Sequence, residues 1–232
     1  MKLGIIGKGR WGFVYARTLA RMGIGYRIDG SAWRESGWFS SGLDGAIIAS
    51  APASHFSIAE DLIKRGMPVL VEKPVSLNSQ DARSLLHLAE SKRAIAFAGN
   101  TRLYSPAWRA FKRRALARGV RSIEATAGSS DTKLGPWWDW GGHLVAMCLD
   151  LGFDPRAATL CTHCRDEPLS FRVNGTMEYR DVDESPKPLD VLIDEFIAAI
   201  KAGQPEIGGL RIGVQTVEFL EALDASHRPE PD

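Results

Sequence analysis

Asp139 and His143 stand four residues apart in Asp139-Trp140-Gly141-Gly142-His143, a spacing that puts a carboxylate and an imidazole on one face of a helix. Histidine is the side chain best matched to proton transfer near neutral pH, and an acidic neighbour raises its pKa. The chemistry such a pair can do is proton exchange, although a pair of this kind taken alone serves structure more often than catalysis. Lys73 lies in Val69-Leu70-Val71-Glu72-Lys73-Pro74, where an apolar run ends in two charges and a proline. In an open α/β sheet, ligands lie beyond the carboxyl ends of the strands, so this position presents an ammonium to a cleft; a solvated turn lysine is the plainer alternative. Ala51-Pro52-Ala53-Ser54-His55 closes a neighbouring apolar run in the same way, with His55 at a helix start, where histidine more often packs or caps than reacts.

Gly7-Lys8-Gly9-Arg10-Trp11-Gly12 is a G-x-G-x-x-G that follows an apolar β-prone run and opens a helical pattern. The first glycine permits a tight turn, the second lets a pyrophosphate approach the backbone, and the third lets helix and strand pack closely. Phosphates would then sit at the positive end of the helix. Asp29 follows Gly12 by 17 residues and could accept hydrogen bonds from ribose hydroxyls, which favours NAD. Arg34 competes with it, because a cation there suits the 2′-phosphate of NADP, and Asp29-Gly30 is equally a turn-forming pair. NAD and NADP both stay open. Cys161-Thr162-His163-Cys164 has ligand-type side chains, but residues three apart on a strand face opposite sides and no second ligand pair follows, so no metal is expected.

The elements that must position these residues alternate. Strands are expected at Lys2 to Ile6, Tyr26 to Ile28, Ala46 to Ser50, Pro68 to Val71 and Ala94 to Ala98. Between them, helices run from Arg10 to Met22, from a Ser54 cap to about Lys64, and from an Asn78 cap over Asp81 to Lys92. Nearly all-apolar strands alternating with helices mark a parallel sheet covered on both faces, and Gly30 to Gly42 reads as irregular connection. After Gly99 the pattern changes to a cationic helix (Ala107 to Arg118), strands at Val120 to Ala127, Ala157 to Cys164 and Leu169 to Tyr179, and a helix through His143 to Leu151. Two amphipathic helices close the chain, over Leu189 to Lys201 and Leu210 to Ala225. The fold class is therefore α/β, with a parallel doubly wound domain at 1–99 and an α+β domain with a mostly antiparallel open sheet at 100–232, whose last helices could pack back on the first domain.

Composition excludes several classes. With 29 basic and 28 acidic residues the net charge is +1, so no global field argues for nucleic acid or an anionic membrane, and a small-molecule partner is favoured. The basic helix Arg109, Lys112, Arg113, Arg114 and Arg118 is read as a solvated face. Three cysteines cannot make a disulfide framework, and with no leader-like start or spanning apolar run a cytoplasmic protein is expected.

Taken in order, Gly7 to Gly12, Ala51-Pro52-x-x-His55, Glu72-Lys73-Pro74, Gly99-Asn100-Thr101-Arg102-Leu103-Tyr104-Ser105-Pro106, Asp139-x-Gly141-x-His143 and the Pro188 to Gly203 helix resemble the glucose-fructose oxidoreductase, inositol dehydrogenase and rhizopine-catabolism family, Gfo/Idh/MocA. The resemblance implies a Rossmann domain that holds NAD or NADP through Gly7, Gly9, Arg10, Trp11, Gly12, Asp29, Ala51, Pro52, His55, Glu72 and Lys73. It implies that Lys73 sits beside nicotinamide and substrate, that Asp139 and His143 handle a proton, and that Asn100, Arg102 and Tyr104 line the cleft. Trp140, beside Trp137 and Trp138, offers a flat face to a pyranose or cyclitol ring, with packing as the expected use of at least two of the three. The implied activity is hydride exchange between nicotinamide and a sugar-like or cyclitol-like alcohol or ketone, in a homo-oligomer assembled through the second sheet. Reduction of a C=N or tetrapyrrole double bond is the alternative enzyme, and a nucleotide-binding scaffold or sensor the non-catalytic one. The chain is short for the family, with length missing after the second strand and within the second sheet, and His143-Leu144-Val145-Ala146 lacks the carboxylate of the family's His-x-x-Asp.

Overall fold

The computed structural model describes residues 1–35, 37–38, 41–128, 135–162 and 168–226. Two compact units emerge, one from Met1–Gly99 with Leu192–Val214, the other from Asn100–Val191 with Gln215–Asp232.

The first unit is built on a parallel sheet. Strands β1 (Lys2–Ile6), β2 (Gly25–Asp29), β3 (Gly45–Ile48), β4 (Val69–Val71) and β5 (Ala96–Ala98) lie in the order β2-β1-β3-β4-β5, every pair parallel. Strands β3, β4 and β5 are buried along their whole length, which is why they read as unbroken apolar runs. Helices α1 (Arg10–Arg21), α2 (His55–Lys64) and α3 (Ser79–Ser91) supply the crossovers, and the Asn78 side chain caps α3 by accepting from the Asp81 amide at 2.8 Å. Ser54 does not cap α2 in the expected way: it belongs to a 3₁₀ turn, Pro52–Ser54, and its hydroxyl turns back to the Ala51 carbonyl. The segment read as irregular connection carries core residues, since Trp33 and Trp38 are fully buried and meet edge to face, with centroids 5.9 Å apart. Gly4 of β1 makes room for Trp38, because a Cβ there would fall 2.1 Å from the indole.

The last two helices, α6 (Pro188–Ala202) and α7 (Gly208–Ser226), are each divided between the units. Within the first unit, Phe196 packs against Phe97 at 5.5 Å, Ile200 and Phe196 cover Gly45, and Glu206 pairs with Ile95 beside β5.

The second unit has helix α4 (Pro106–Arg118), strand β6 (Ile123–Thr126), helix α5 (Gly142–Asp150) and strands β7 (Thr159–Cys161), β8 (Ser170–Val173) and β9 (Met177–Arg180). Their sheet runs β7-β6-β8-β9; β8 is antiparallel to both its neighbours, while β6 and β7 are parallel. The strand expected over Ala157 to Cys164 begins only at Thr159, because Pro155–Ala157 forms a 3₁₀ turn capped by Asp154. Trp108 centres this core, stacked on Phe111 at 5.6 Å and edge-on to Phe171 and Tyr179. Its indole N–H donates to Asp150 at 2.9 Å, satisfying a polar group in an apolar core. No helix among the described residues is long and apolar enough to cross a membrane.

Candidate active site

The glycine turn opens one wall of a cleft of about 660 Å³ in the first unit. Gly7 has φ +127°, its amide donates to the Asp29 carbonyl at 2.8 Å, and a Cβ on it would lie 2.3 Å from the Ala49 carbonyl oxygen. Gly12 is locked differently, since its Cβ would fall 1.9 Å from the Gly7 oxygen. Gly9 is the contrast: its backbone is ordinary extended chain and a Cβ would meet nothing within 4 Å. The fold therefore does not require glycine at 9, and the open space in front of it fits a pyrophosphate at the start of α1. No side chain caps that helix and no acid occupies its first turn, so its leading N–H groups are offered to the cleft.

The opposite wall comes from the ends of β3 and β4. Ala51, Pro52, His55, Glu72 and Lys73 all line the cleft, together with Arg10 and Trp11. His55 is buried and its two ring nitrogens approach the carbonyls of Pro74, at 2.7 Å, and Ser50, at 3.1 Å. It ties the two strand ends together, and burial pulls its pKa below the usual value against the opposing pull of those carbonyls. Glu72, the residue before Lys73, is buried and accepts from the Tyr15 hydroxyl of α1 at 2.8 Å. Gly99 leaves the space this carboxylate fills, as a Cβ there would fall 2.2 Å from Glu72 Oε2. Tyr15, a residue outside the sequence-derived site, thus orients the Glu-Lys-Pro turn.

Asp29 ends β2 but does not line the cleft; its carboxylate takes the Arg27 Nε at 2.5 Å. Gly30, Ser31, Trp33 and Arg34 line that end instead. Arg34 lies over the Trp33 ring, 4.5 Å from its centroid, and its Nε donates to Asp61 of α2 at 2.9 Å.

In the second unit, Trp137–Gly141 form a turn of π-helix that runs into α5, so Asp139 and His143 share a continuous helical segment. His143 is nearly buried, and Trp140 stands edge-on to it with centroids 5.8 Å apart. The Arg102 guanidinium lies 5.7 Å from the centroid of the Trp140 ring, so two of the expected substrate residues meet each other and one of them, Trp140, stands beside the imidazole. Arg102 also pairs with Asp181 at 2.6 Å, a partner 79 residues away that no local pattern reveals. Burial raises the Asp181 pKa, with Arg102 opposing, and burial likewise pushes the Tyr179 phenol up to about 12. Asn100 is buried with an amide nitrogen that no described residue accepts from, whereas Tyr104 is packed beneath Arg109 at 5.0 Å. Trp138 is a packing residue, its N–H bonded to Asp224 at 2.7 Å. His163 and Cys164 of the cysteine-histidine cluster lie outside the described residues.

Residues 38–100 match a family model described as the oxidoreductase family, NAD-binding Rossmann fold, of Gfo/Idh/MocA. A candidate oxidoreductase of Salmonella typhimurium, YceM, is 33% identical over 75 residues, 32% of this chain and 24% of that protein. The rhizopine catabolism protein MocA of Rhizobium meliloti is 27% identical over 123 residues, 45% of this chain and 39% of that protein. The chain thus spans well under half the length of these curated relatives. Among solved structures, the UDP-N-acetylglucosamine 3-dehydrogenase of Acidithiobacillus ferrooxidans superposes with a TM-score of 0.78 at 16% identity, covering 97% of both chains. Residues 38–100 therefore match the NAD-binding Rossmann fold of the Gfo/Idh/MocA oxidoreductases, and the chain as a whole has the fold seen in that family's structures.

Proposed function

We propose that the protein is an NAD(P)-dependent oxidoreductase that exchanges a hydride between nicotinamide and a carbon bearing oxygen on a sugar-like or cyclitol-like substrate. The observation that carries the reading is the open space before Gly9, where a Cβ would meet nothing within 4 Å, in a cleft lined further along by Lys73. A bound nicotinamide supplies the hydride; the chain has to align the reactants and manage one proton. In the oxidation direction His143 takes the hydroxyl proton, the Lys73 ammonium stabilises the developing alkoxide, and Asp139 orients the histidine. Arg102, over the Trp140 ring, and Trp140, beside His143, supply donors and a flat apolar face of the kind a polyhydroxylated ring requires. Two similar proteins support the assignment by analogy: a structural neighbour with TM-score 0.76 was crystallised with NAD, and a relative 28% identical over 83 residues is a dehydrogenase of a nucleotide-linked sugar. Self-association through the second sheet belongs to the same proposal, and sedimentation measures it.

The test is turnover of purified protein with NADH and NADPH against a panel of keto-sugars and keto-cyclitols, with Lys73→Ala and His143→Ala alongside. Each variant is expected to lose at least about a hundredfold in kcat, the usual worth of a positioned acid or base. Unchanged turnover in both variants would overturn the roles assigned here.

A further inference from the structure

We infer that the adenosine end of the cleft is built for a 2′-phosphorylated nucleotide, making NADP(H) rather than NAD(H) the preferred form; this rests on the cofactor reading above. A Rossmann cleft that selects NAD offers a carboxylate at the end of the second strand to the ribose hydroxyls. Here the residue of the right type, Asp29, is outside the lining and is held by Arg27 at 2.5 Å, a contact that also neutralises the charge that would repel a phosphate. Its place in the lining is taken by Ser31, a hydroxyl donor, and Arg34, a cation.

The charge around the cleft agrees. Lys8, Arg10, Arg34 and Lys73 line it against one described carboxylate, Glu72, which is bonded to Tyr15 on the strand-end wall. The aliphatic stem of Lys8 approaches Gly30, since a Cβ at Gly30 would lie 3.8 Å from it. Two cations thus flank the residues that follow β2. Arg34 is half exposed but held, with Trp33 beneath its guanidinium at 4.5 Å and Asp61 accepting from its Nε. Guanidinium binds phosphate through paired N–H donors in a fixed fork, and a held fork loses less freedom when it does so.

The experiment is calorimetric titration of the full chain with NADPH and NADH, and with adenosine 2′,5′-bisphosphate and 5′-AMP, for wild type, Arg34→Gln, Arg34→Lys and Asp29→Asn. Wild type is expected to bind NADPH at least about tenfold tighter than NADH, and the bisphosphate tighter than AMP by a similar factor, as charge-assisted bonds to phosphate provide. Arg34→Gln should abolish most of that ratio through NADPH, Arg34→Lys should restore part of it, and Asp29→Asn should leave NADH affinity within about twofold because the carboxylate does not reach the ribose. Equal or tighter binding of NADH, or an Arg34→Gln variant that weakens both forms equally, overturns the inference while leaving the cofactor reading in place. Binding of no dinucleotide at all removes both.

Discussion

Alanine at Gly9 and alanine at Gly12 add the same methyl group three residues apart, and the structure assigns them opposite consequences. At Gly12 the new Cβ would stand 1.9 Å from the Gly7 oxygen and 2.9 Å from its carbonyl carbon. Both are backbone atoms of the turn, so relief requires α1 to separate from it by about 1 Å. Overpacking of this kind costs about 1–3 kcal/mol and occasionally more, and a backbone clash belongs at the upper end. For a chain of this size about 3 kcal/mol corresponds to a fall of roughly 6–12 °C in Tm. At Gly9 the same methyl meets nothing within 4 Å, so Gly9→Ala should melt within about 2 °C of wild type, since surface changes of this kind lie within about 0.5 kcal/mol. The methyl would occupy the ground a pyrophosphate needs, so dinucleotide affinity should drop by about tenfold or more for both NADH and NADPH. Thermal melts by circular dichroism and calorimetric titration on the two variants read out both quantities. Undiminished affinity in Gly9→Ala, or a wild-type Tm in Gly12→Ala, would refute the division of labour between a glycine kept for a ligand and one kept for packing.

His55 is buried with a lowered pKa, so the unfolded chain binds its proton more readily than the folded one below its ordinary value of 6.5. Stability should hold above that value and fall as pH drops toward the depressed folded pKa, with a slope of up to about 1.4 kcal/mol per pH unit; urea melts at several pH values should show a flatter profile in His55→Gln. Tyr15→Phe removes the hydroxyl that Glu72 accepts from and should cost about 1–3 kcal/mol, measured by the same melts, with Lys73-dependent turnover falling because the turn loses its brace. Arg102→Ala leaves Asp181 partly buried without its cation, so the variant should lose about 1–2 kcal/mol at neutral pH and recover part of it as Asp181 is protonated.

The first sheet was legible because burial on both faces writes itself as continuous apolar runs, and the glycine turn because Gly7 and Gly12 answer local steric demands. Other features depend on partners distant in the chain. Trp33 and Trp38 sit in a segment rich in serine and glycine that reads as irregular connection; Trp38 fills the room left by the missing side chain of Gly4 in β1, and Trp33 packs edge to face on Trp38. Arg102 looks like a free substrate cation until Asp181 is brought beside it. Asp29 carries the expected residue type at the expected spacing, and only the structure reveals that Arg27, two positions earlier on the same strand, has claimed it. The parallel pairing of β6 with β7 was hidden for a similar reason, since single strands do not announce their direction.

The return of residues 192–214 to the first unit limits how the protein can be taken apart. A scission after Gly99 would strip Phe196 from Phe97, bare the floor beneath Gly45, and remove the backbone partner that Glu206 gives to Ile95 and Ala96 at the sheet's margin. The liberated fragment would hold every glycine of the cradle and still have an unprotected border ready to pair with another copy of itself. Anyone seeking a free-standing dinucleotide module from this polypeptide must carry the returning hairpin of helices along with it.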